Sequence, residues 1–267
     1  MPIRMLKRAL AVAALACLAA CATTEPVRPA APIRFVLSFD DGPAPSTGQV
    51  LDTLAANPVQ PGIKAIFFVQ TRLAEAGGCE SGREVMRRSY AEGHLLAVHT
   101  GTPGHIRHPL LSPAELEQSL KLAEEDIAAI TGAPPRFVRP PYWYYDDAVL
   151  QTYRRVHLSM LLTDISARDG ATVLGVDVWP GKRLLMRAQL ELIRWQWLDG
   201  ELPEVDGATP IVLALHDANE STAAHLAWYL QALVEEARAA GLTLAARPFY
   251  DRGAELERAA ALRARRL

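Results

Sequence analysis

Cysteine is scarce in this sequence, and so is net charge. The 267 residues include three cysteines, of which only Cys79 lies beyond residue 21, so a framework of disulfides is excluded. The 28 lysines and arginines nearly balance the 30 aspartates and glutamates, and the net charge of −2 gives no indication of nucleic-acid binding. Half of the residues are hydrophobic, which is typical of a globular protein that is stabilised by its core.

The N-terminus has the pattern of an export signal. Three cations among the first eight residues precede the apolar run ALAVAALACLAAC, which is too short to span a bilayer comfortably. The run ends in LAAC, which resembles the bacterial lipobox and predicts that residues 1–20 are a lipoprotein signal peptide and that Cys21 is lipidated. The residue after Cys21 is Ala22 and not the aspartate that would change the membrane to which a lipoprotein is sorted. This favours an anchor in the outer membrane that faces the periplasm. A chance cysteine in an alanine-rich signal is the alternative.

Apolar runs and amphipathic stretches alternate after a proline- and alanine-rich segment, residues 21–32, which is interpreted as a tether. This alternation predicts a parallel sheet covered by helices, an α/β fold. Seven runs are candidate strands and suggest a barrel within a single domain, residues 33–250: IRFVLSFD, KAIFFVQ, HLLAVHT, RFVRPP, LSMLLTDI, IVLALHD and LTLAARPF. Residues 251–267 are interpreted as a basic C-terminal helix or a frayed tail.

Six stretches between these runs have helical periodicity. They are residues 48–56, 82–92, 112–131, 146–156, 182–198 and 221–240. The third begins with SPAE, which predicts a capping box between Ser112 and Glu115 with proline at the first helical position. Gly132 and the two prolines after it predict the end of that helix.

Polar side chains collect where the candidate strands end. They are Asp40 and Asp41, His99, Arg139 and Tyr142, Asp164, and His216 and Asp217. In α/β barrels the C-terminal ends of the strands form one face, so these groups are expected to converge. An aspartate pair, histidines and an arginine on one rim are typical of a metal-dependent hydrolase.

The pair Asp40-Asp41 needs an explanation of its own. Two adjacent carboxylates at the end of a buried strand repel each other, and partial burial disfavours both ionised forms. A bound cation would offset this cost, and so would exposure to water.

Three motifs resemble one protein family. SFDDGP (residues 38–43), RPPY (139–142) and LALHD (213–217) are similar, in order and spacing, to motifs of the polysaccharide deacetylases, the NodB-homology domain of carbohydrate esterase family 4. The resemblance covers about residues 33–250. It implies a distorted (β/α)7 barrel and a hydrolase that removes acetyl groups from a polysaccharide, with an N-acetylglucosamine-containing glycan of the cell envelope as the expected substrate.

The resemblance also implies roles for individual residues. Asp40 corresponds to the general base, Arg139 to the residue that orients this base, and His216 to the general acid. The backbone N–H of Tyr142 corresponds to a donor to the oxyanion. In the family an aspartate and two histidines bind a divalent ion, often zinc, and Asp41 and His99 correspond to two of these ligands.

The second motif departs from the family pattern, which has ligand histidines four residues apart. Pro103 stands four residues after His99, whereas His105 and His108 follow at six and nine. Counting back from the next helix favours His105 and a two-residue insertion, because glycines on both sides of Thr102-Pro103 allow the backbone to bulge. His108 is followed by proline as in the family and is the rival ligand.

The fourth motif departs further. Gly170 stands where the family usually has tryptophan, and Ser166 stands where it has an aspartate that tunes the catalytic histidine. Asp164 or Asp169 is expected to take over the aspartate role. Trp179 is the expected replacement for the missing apolar wall and is therefore a predicted substrate contact.

An aromatic run follows the RPPY motif where the family usually has glycine. Trp143 and Tyr144 are predicted to stack on sugar rings at the rim of the site. The alternative is that most of this run, including Tyr145, packs the following helix.

Two other functions fit the same residues. A glycan-binding lipoprotein that kept the fold without activity is suggested by the altered second and fourth motifs. A metal-dependent hydrolase of small amides is the third possibility. An open groove would favour a polymeric substrate and a closed pocket a small molecule. The sequence leaves the oligomeric state open.

Overall fold

The strands form one sheet in which every pair of strands is parallel. The computed structural model describes residues 30–171 and 177–264. Its strands are β1 (Ile33–Asp40), β2 (Ala65–Gln70), β3 (Leu95–Thr100), β4 (Phe137–Val138), β5 (Ser159–Met160), β6 (Ile165–Ser166), β7 (Thr209–His216) and β8 (Leu244–Phe249). They pair in the order β5-β4-β3-β2-β1-β7-β6, and β8 pairs with the start of β1. The expected single-domain, distorted (β/α)7 barrel is confirmed.

Helices connect most of the successive strands, as parallel pairing requires, except β5 and β6, and a final helix follows β8. They are α1 (Thr47–Ala55), α2 (Glu80–Ala91), α3 (Pro113–Thr131), α4 (Asp147–Arg155), α5 (Trp179–Leu198), α6 (Glu220–Ala239) and α7 (Gly253–Arg263). The predicted capping box at α3 is confirmed, because Ser112 Oγ accepts from the N–H of Glu115 and the Glu115 carboxylate accepts from the N–H of Ser112. Gly132 ends this helix at φ +78°, a conformation that favours glycine.

The predicted strand LSMLLTDI is two strands. Its first part, β5, pairs with β4, whereas its last part, β6, pairs with β7 at the other end of the sheet. The chain between them crosses from one end of the hydrogen-bonded path to the other, and Thr163 Oγ1 donates to the carbonyl of Val212 along the way. Leu161 and Ile165 are fully buried at the two ends of this crossing, and apolar periodicity alone cannot distinguish such a run from a continuous strand.

The C-terminal segment forms helix α7, which packs on the face of the sheet that carries Val36 and Val212. Leu256, Ala259 and Ala260 are buried against a cluster that includes Val36 and Val212. Burying a leucine contributes about 1.5–3 kcal/mol, so this helix adds to the stability of the domain. The folded domain therefore extends past residue 250, the expected boundary.

The chain before residue 30 lies outside the described residues. The predicted signal peptide, the predicted lipidation site Cys21 and most of the predicted tether fall there. Within the described ranges, none of the helices is both long and apolar enough to cross a membrane.

The register of the central strands positions the functional residues. Asp40, the last residue of β1, lies directly opposite His216, the last residue of β7. β3 ends beside β2 on the other flank of β1, which brings His99 to the same edge. The carboxyl ends of these strands therefore form one polar edge, as expected for the fold.

Candidate active site

Three predicted metal ligands meet at this edge. Asp41 Oδ1 lies 3.1 Å from His99 Nε2 and 3.2 Å from His105 Nε2, and the two Nε2 atoms lie 3.1 Å apart. These three residues form the one histidine, cysteine and carboxylate cluster in the described chain with the spacing of a metal site. The three distances are close to the ligand–ligand spacing of about 3.3 Å in a tetrahedral zinc site with bonds of about 2.0 Å. The donor set, one carboxylate and two imidazoles, fits a divalent cation such as zinc.

Backbone and neighbouring groups fix the first two members of this triad. Asp41 follows β1 at φ +72°, and Gln70 Nε2 donates to its carbonyl at 2.8 Å. His99 lies in β3, and its Nδ1–H donates to the carbonyl of Arg139 at 2.8 Å. This hydrogen bond assigns the proton to Nδ1, so the Nε2 lone pair faces the Asp41 carboxylate, as a metal ligand requires.

His105 reaches the triad from the loop after β3. Its ring stacks on Tyr142 with ring centroids 4.4 Å apart and planes tilted by 29°. The start of the loop is anchored at Gly101, whose N–H donates to Ser119 Oγ of α3. A side chain at Gly101 would collide with the carbonyl of Ser119, since a Cβ there would lie 2.1 Å away.

His108, the rival ligand, points into the protein. It is fully buried, and its Nδ1 lies 2.5 Å from the hydroxyl of Tyr153 in α4. Burial lowers the pKa of His108 to about 3, so the ring is neutral at physiological pH. The structure therefore places His105, and not His108, beside Asp41 and His99.

The electrostatics of the triad favour a cation. Burial by itself raises the pKa of Asp41, but its close contact with His99, and to a lesser degree those with His105 and His216, lower it to about 2. Burial is also the main reason that the pKa of His105 is lowered. The ionised carboxylate is the form in which Asp41 ligates a metal.

The second aspartate, Asp40, is held by an arginine rather than by the triad. Arg139 is completely buried, and its Nη1 donates to Asp40 Oδ1 at 2.8 Å and to Ser38 Oγ at 2.6 Å. The guanidinium also lies over the rings of Phe68 and Trp143, at 4.0 and 5.1 Å from their centroids. This packing fixes the Asp40 carboxylate at the floor of the site, where it can accept a proton.

A different carboxylate holds His216. Asp169 Oδ1 accepts from His216 Nδ1 at 2.8 Å, while Asp169 Oδ2 accepts from the His216 N–H and from Thr222 Oγ1. Burial lowers the pKa of His216, but the Asp169 hydrogen bond and charge, with Asp40 and Asp41, raise it to about 9. His216 is therefore protonated at neutral pH and is able to act as an acid.

The two candidates for the missing fourth-motif aspartate have separate positions. Asp164 pairs with Arg263 of α7 and accepts from the N–H of Val212, away from His216. Asp169 is the carboxylate that contacts His216. Lys182 helps to position Asp169, because its Nζ donates a hydrogen bond to the Asp169 carbonyl at 2.6 Å. Sequence patterns do not reveal this contact.

Gly42 of the SFDDGP motif is required by close packing against the end of β7. A Cβ at this position would lie 2.0 Å from the Asp217 carboxylate. Asp217 is buried, and its carboxylate accepts a hydrogen bond from Thr47 Oγ1 at 2.5 Å. Its backbone carbonyl accepts a second hydrogen bond from the hydroxyl of Ser46. Burial raises its pKa to about 7. The residue after His216 therefore joins the β1 loop to β7 and holds the two halves of the site together.

Aromatic side chains form the rim of a cleft of about 570 Å³ over these groups. Tyr142 and Tyr144 remain 50% and 51% exposed, and Trp143 is half-buried on Arg139. Arg107 also lines the cleft, with its guanidinium 4.3 Å from the Tyr144 ring centroid. Sequence reasoning missed Arg107 as a residue of the cleft. Its position between the two candidate ligands His105 and His108 is the sequence feature that could have identified it.

The backbone N–H of Tyr142 remains available in this cleft. Tyr142 adopts φ +57° within the short helical turn Pro141–Trp143, and the hydrogen bonds of that turn are donated by Trp143 and Tyr144. Among the described residues, no acceptor is found for the Tyr142 N–H. This donor is suited to an oxygen of a ligand.

Trp179, a predicted substrate contact, lies elsewhere. Its ring packs against His225, Trp228 and Tyr229 of α6, with centroid distances of 4.5, 4.8 and 5.8 Å. It is absent from the residues that line the cleft. The prediction is corrected for this reason: Trp179 joins α5 to α6, and the apolar wall is supplied by the aromatic run after RPPY.

The chain therefore has an α/β barrel fold with an Asp–His–His triad at the carboxyl ends of its strands. This combination is that of a hydrolase. The polysaccharide deacetylase family model matches residues 28–161, and the chain belongs to this family. The match ends before Asp169 and His216, which complete the site in the structure.

Curated relatives are similar over part of their length. A chitin deacetylase of Arthroderma benhamiae is 33% identical over 147 residues, which are 54% of this chain and 38% of that protein. A chitooligosaccharide deacetylase of Bradyrhizobium sp. is 38% identical over 146 residues, or 53% of this chain and 60% of that protein. The chain thus spans less than two thirds of the length of each of these relatives.

Solved structures share the fold. The chitin deacetylase from Colletotrichum lindemuthianum has a TM-score of 0.59 at 24% identity, covering 83% of this chain and 88% of that one. A family 4 carbohydrate esterase from Streptomyces lividans in complex with acetate has a TM-score of 0.56 at 21% identity, covering 78% and 91%. Both confirm the barrel architecture.

Proposed function

We propose that this protein is a metal-dependent hydrolase that removes acetyl groups from an acetylated glycan, with N-acetylglucosamine of the cell envelope as the substrate class. The observation that carries the proposal is the convergence of three units on one cleft: the Asp41–His99–His105 triad, the Asp40–Arg139 pair and the Asp169-supported His216. The names of the curated relatives support the same substrate class.

Each unit has a chemical role in amide hydrolysis. Asp41, His99 and His105 would hold a divalent cation, for which zinc is the leading candidate, and such an ion supplies Lewis acidity to the acetyl carbonyl and to water. Asp40, oriented by Arg139, takes the proton from the attacking water. The N–H of Tyr142 donates to the oxyanion that develops on the acetyl oxygen.

His216 completes the reaction at the leaving group. Its ring is protonated because Asp169 accepts from Nδ1. The remaining proton on Nε2 is available to the departing amine nitrogen as the C–N bond breaks. Acetate and a free glucosamine amine are then the products.

The rim of the cleft favours a polymer over a small amide. Tyr142 and Tyr144 are half-exposed beside the catalytic groups, and aromatic faces stack on the C–H surfaces of sugars. The presence of both a base and an acid argues against a binding protein without activity, because glycan binding requires neither. An acetate-release assay tests the proposal directly.

The assay compares N-acetylated chitooligosaccharides, O-acetylated xylan and acetamide as a small amide. We expect acetate from the N-acetylated oligosaccharides, more slowly from the O-acetylated glycan, and little from the small amide. Release from none of the glycans would leave the binding-protein alternative as the better account. Rapid release from acetamide would favour a small-amide hydrolase.

The pH dependence tests the role of His216. Activity that needs protonated His216 is present below its pKa and is lost above it. Asp169→Asn removes the charge that raises this pKa, so the alkaline limb of the pH–rate profile should move down by about one to two pH units. Asp164→Asn is the matched control, since Asp164 pairs with Arg263, and its profile should keep the wild-type alkaline limb. An unchanged limb in Asp169→Asn would contradict the acid role.

The location of the protein follows from the predicted N-terminus. We propose that it is exported and anchored by a lipid on Cys21 to a membrane facing the periplasm. Cys21→Ser, expressed behind a conventional export signal, should move the protein from the membrane fraction to the soluble periplasm. Wild-type protein that already fractionates as soluble would contradict the anchor.

A further inference from the structure

An exposed apolar stripe runs along helix α5, outside the catalytic cleft. Five of the twelve large hydrophobic side chains that are exposed in the described chain lie on this helix, each 47–68% exposed: Leu184, Leu185, Leu192, Trp195 and Leu198. At about 100° per residue they occupy an arc of about 140°. The opposite face buries Met186, Leu190 and Ile193 against the domain. Helix α5 is therefore apolar on two sides, and the part of the chain that the structure describes covers one of them.

The polar groups at this stripe match those of an interfacial helix. Arg194 lies with its guanidinium 5.4 Å from the Trp195 ring centroid, at the edge of the stripe. Glu191 lies within the arc, one turn after Arg187, whose guanidinium pairs with the buried Glu236, and Asp199 at the end of the helix lies within the arc as well. Tryptophan and arginine beside leucines are typical of helices that lie in the plane of a bilayer surface.

The N-terminal chain enters the domain at the end of this helix. The carbonyl of Ala31 accepts from Trp197 Nε1 at 2.8 Å, and the N–H of Ala31 donates to Glu204 at 3.0 Å. Ten residue steps separate Cys21 from Ala31, and ten extended residues span at most about 35 Å. A lipid on Cys21 would therefore keep the C-terminal end of α5 within about 35 Å of the bilayer.

We propose that the α5 stripe docks on the surface of the bilayer that holds the Cys21 lipid. Leu192 and Trp195 lie at the interface between headgroups and acyl chains, and Arg194 reaches the headgroups. This docking needs the predicted anchor for its location but does not depend on the deacetylase function.

The docked orientation leaves the catalytic cleft accessible. Helix α5 begins at Trp179 beside α6 and ends beside Ala31, so it runs opposite to β1 along the side of the barrel. β1 carries the chain from Ile33 to Asp40, about 25 Å for a strand of this length. A barrel that lies on α5 therefore opens its cleft along the membrane surface rather than into it, where an envelope glycan can enter.

Vesicle partition of the predicted mature chain, residues 21–267 with Cys21→Ser, tests the docking without the lipid. The probe is vesicles of phosphatidylethanolamine and phosphatidylglycerol at millimolar lipid. We expect measurable binding, and we expect Leu192→Ser with Trp195→Ser to lower the partition coefficient on the order of tenfold or more. Leu110→Ser is the matched control, because Leu110 is 74% exposed on another part of the surface, and it should bind as the parent does.

Three outcomes would overturn the proposal. The first is that the parent does not bind the vesicles, and the second is that the double variant binds them as strongly as the parent. The third is that sedimentation shows a parent dimer that the double substitution dissociates, which would make the stripe a protein interface. Acetate release in solution by the double variant should equal that of the parent. Vesicle binding and acetate release are measured separately. Failure of the docking proposal can therefore be told apart from failure of the proposed reaction.

Discussion

Asp40→Asn is expected to lower the rate of acetate release by about 10²–10⁴-fold while the protein keeps its metal. Asparagine can still accept the hydrogen bond from Arg139, but it cannot take a proton from water. The Asp40 carboxylate pairs with Arg139 at 2.8 Å and is not a member of the triad, so metal affinity should stay close to that of the wild type. The measurements are kcat/KM and the metal content of the purified variant.

Asp41→Ala is the comparison that separates the two adjacent aspartates. It removes the one anionic ligand of the triad, so metal affinity and activity should fall together. Metal loss of the same size in both variants would show that the roles of the two carboxylates are misassigned. Retention of the metal by Asp41→Ala would exclude it as a ligand.

His105→Ala is expected to abolish tight metal binding and with it most activity, because catalytic zinc sites normally use three protein ligands. His108→Ala should keep the metal and remain within about tenfold of wild-type activity. It should instead lose about 2–4 kcal/mol of unfolding free energy, since it leaves a cavity and an unpaired Tyr153 hydroxyl. Zinc titration and thermal unfolding of both variants measure these effects.

The paired variants also supply their own control for folding. His105 lies in a partly exposed loop, so its replacement should change the unfolding temperature little. A His108 variant that loses its metal, beside a His105 variant that retains it, would reverse the ligand assignment.

Much of the site could be predicted because it lies at strand ends. The apolar runs of β1, β3 and β7 are long enough to identify, and parallel pairing brings their last residues to one edge. Asp40, His99 and His216 follow from this rule alone. The roles of the individual residues required the family resemblance, because apolar periodicity identifies a strand and carries no information about chemistry.

The parts that the sequence leaves open or predicts wrongly depend on long-range packing. The sequence leaves Asp164 and Asp169 as alternatives, and only their neighbours in the fold, Arg263 and His216, decide which of them supports the histidine. Trp179 was expected at the cleft because it follows this segment, yet packing between α5 and α6 takes its ring away. The run LSMLLTDI has the composition of one strand, and its division depends on pairing with two different strands, β4 for β5 and β7 for β6.

Metal add-back to the chelated protein tests the central claim most directly. The protein is stripped with a chelator, zinc or cobalt is returned in steps, and bound metal and acetate release from an N-acetylated chitooligosaccharide are measured in the same samples. We predict that activity is absent without metal and rises in proportion to bound metal, and that both reach a plateau near one ion per chain. Full acetate release by the stripped protein would contradict the account.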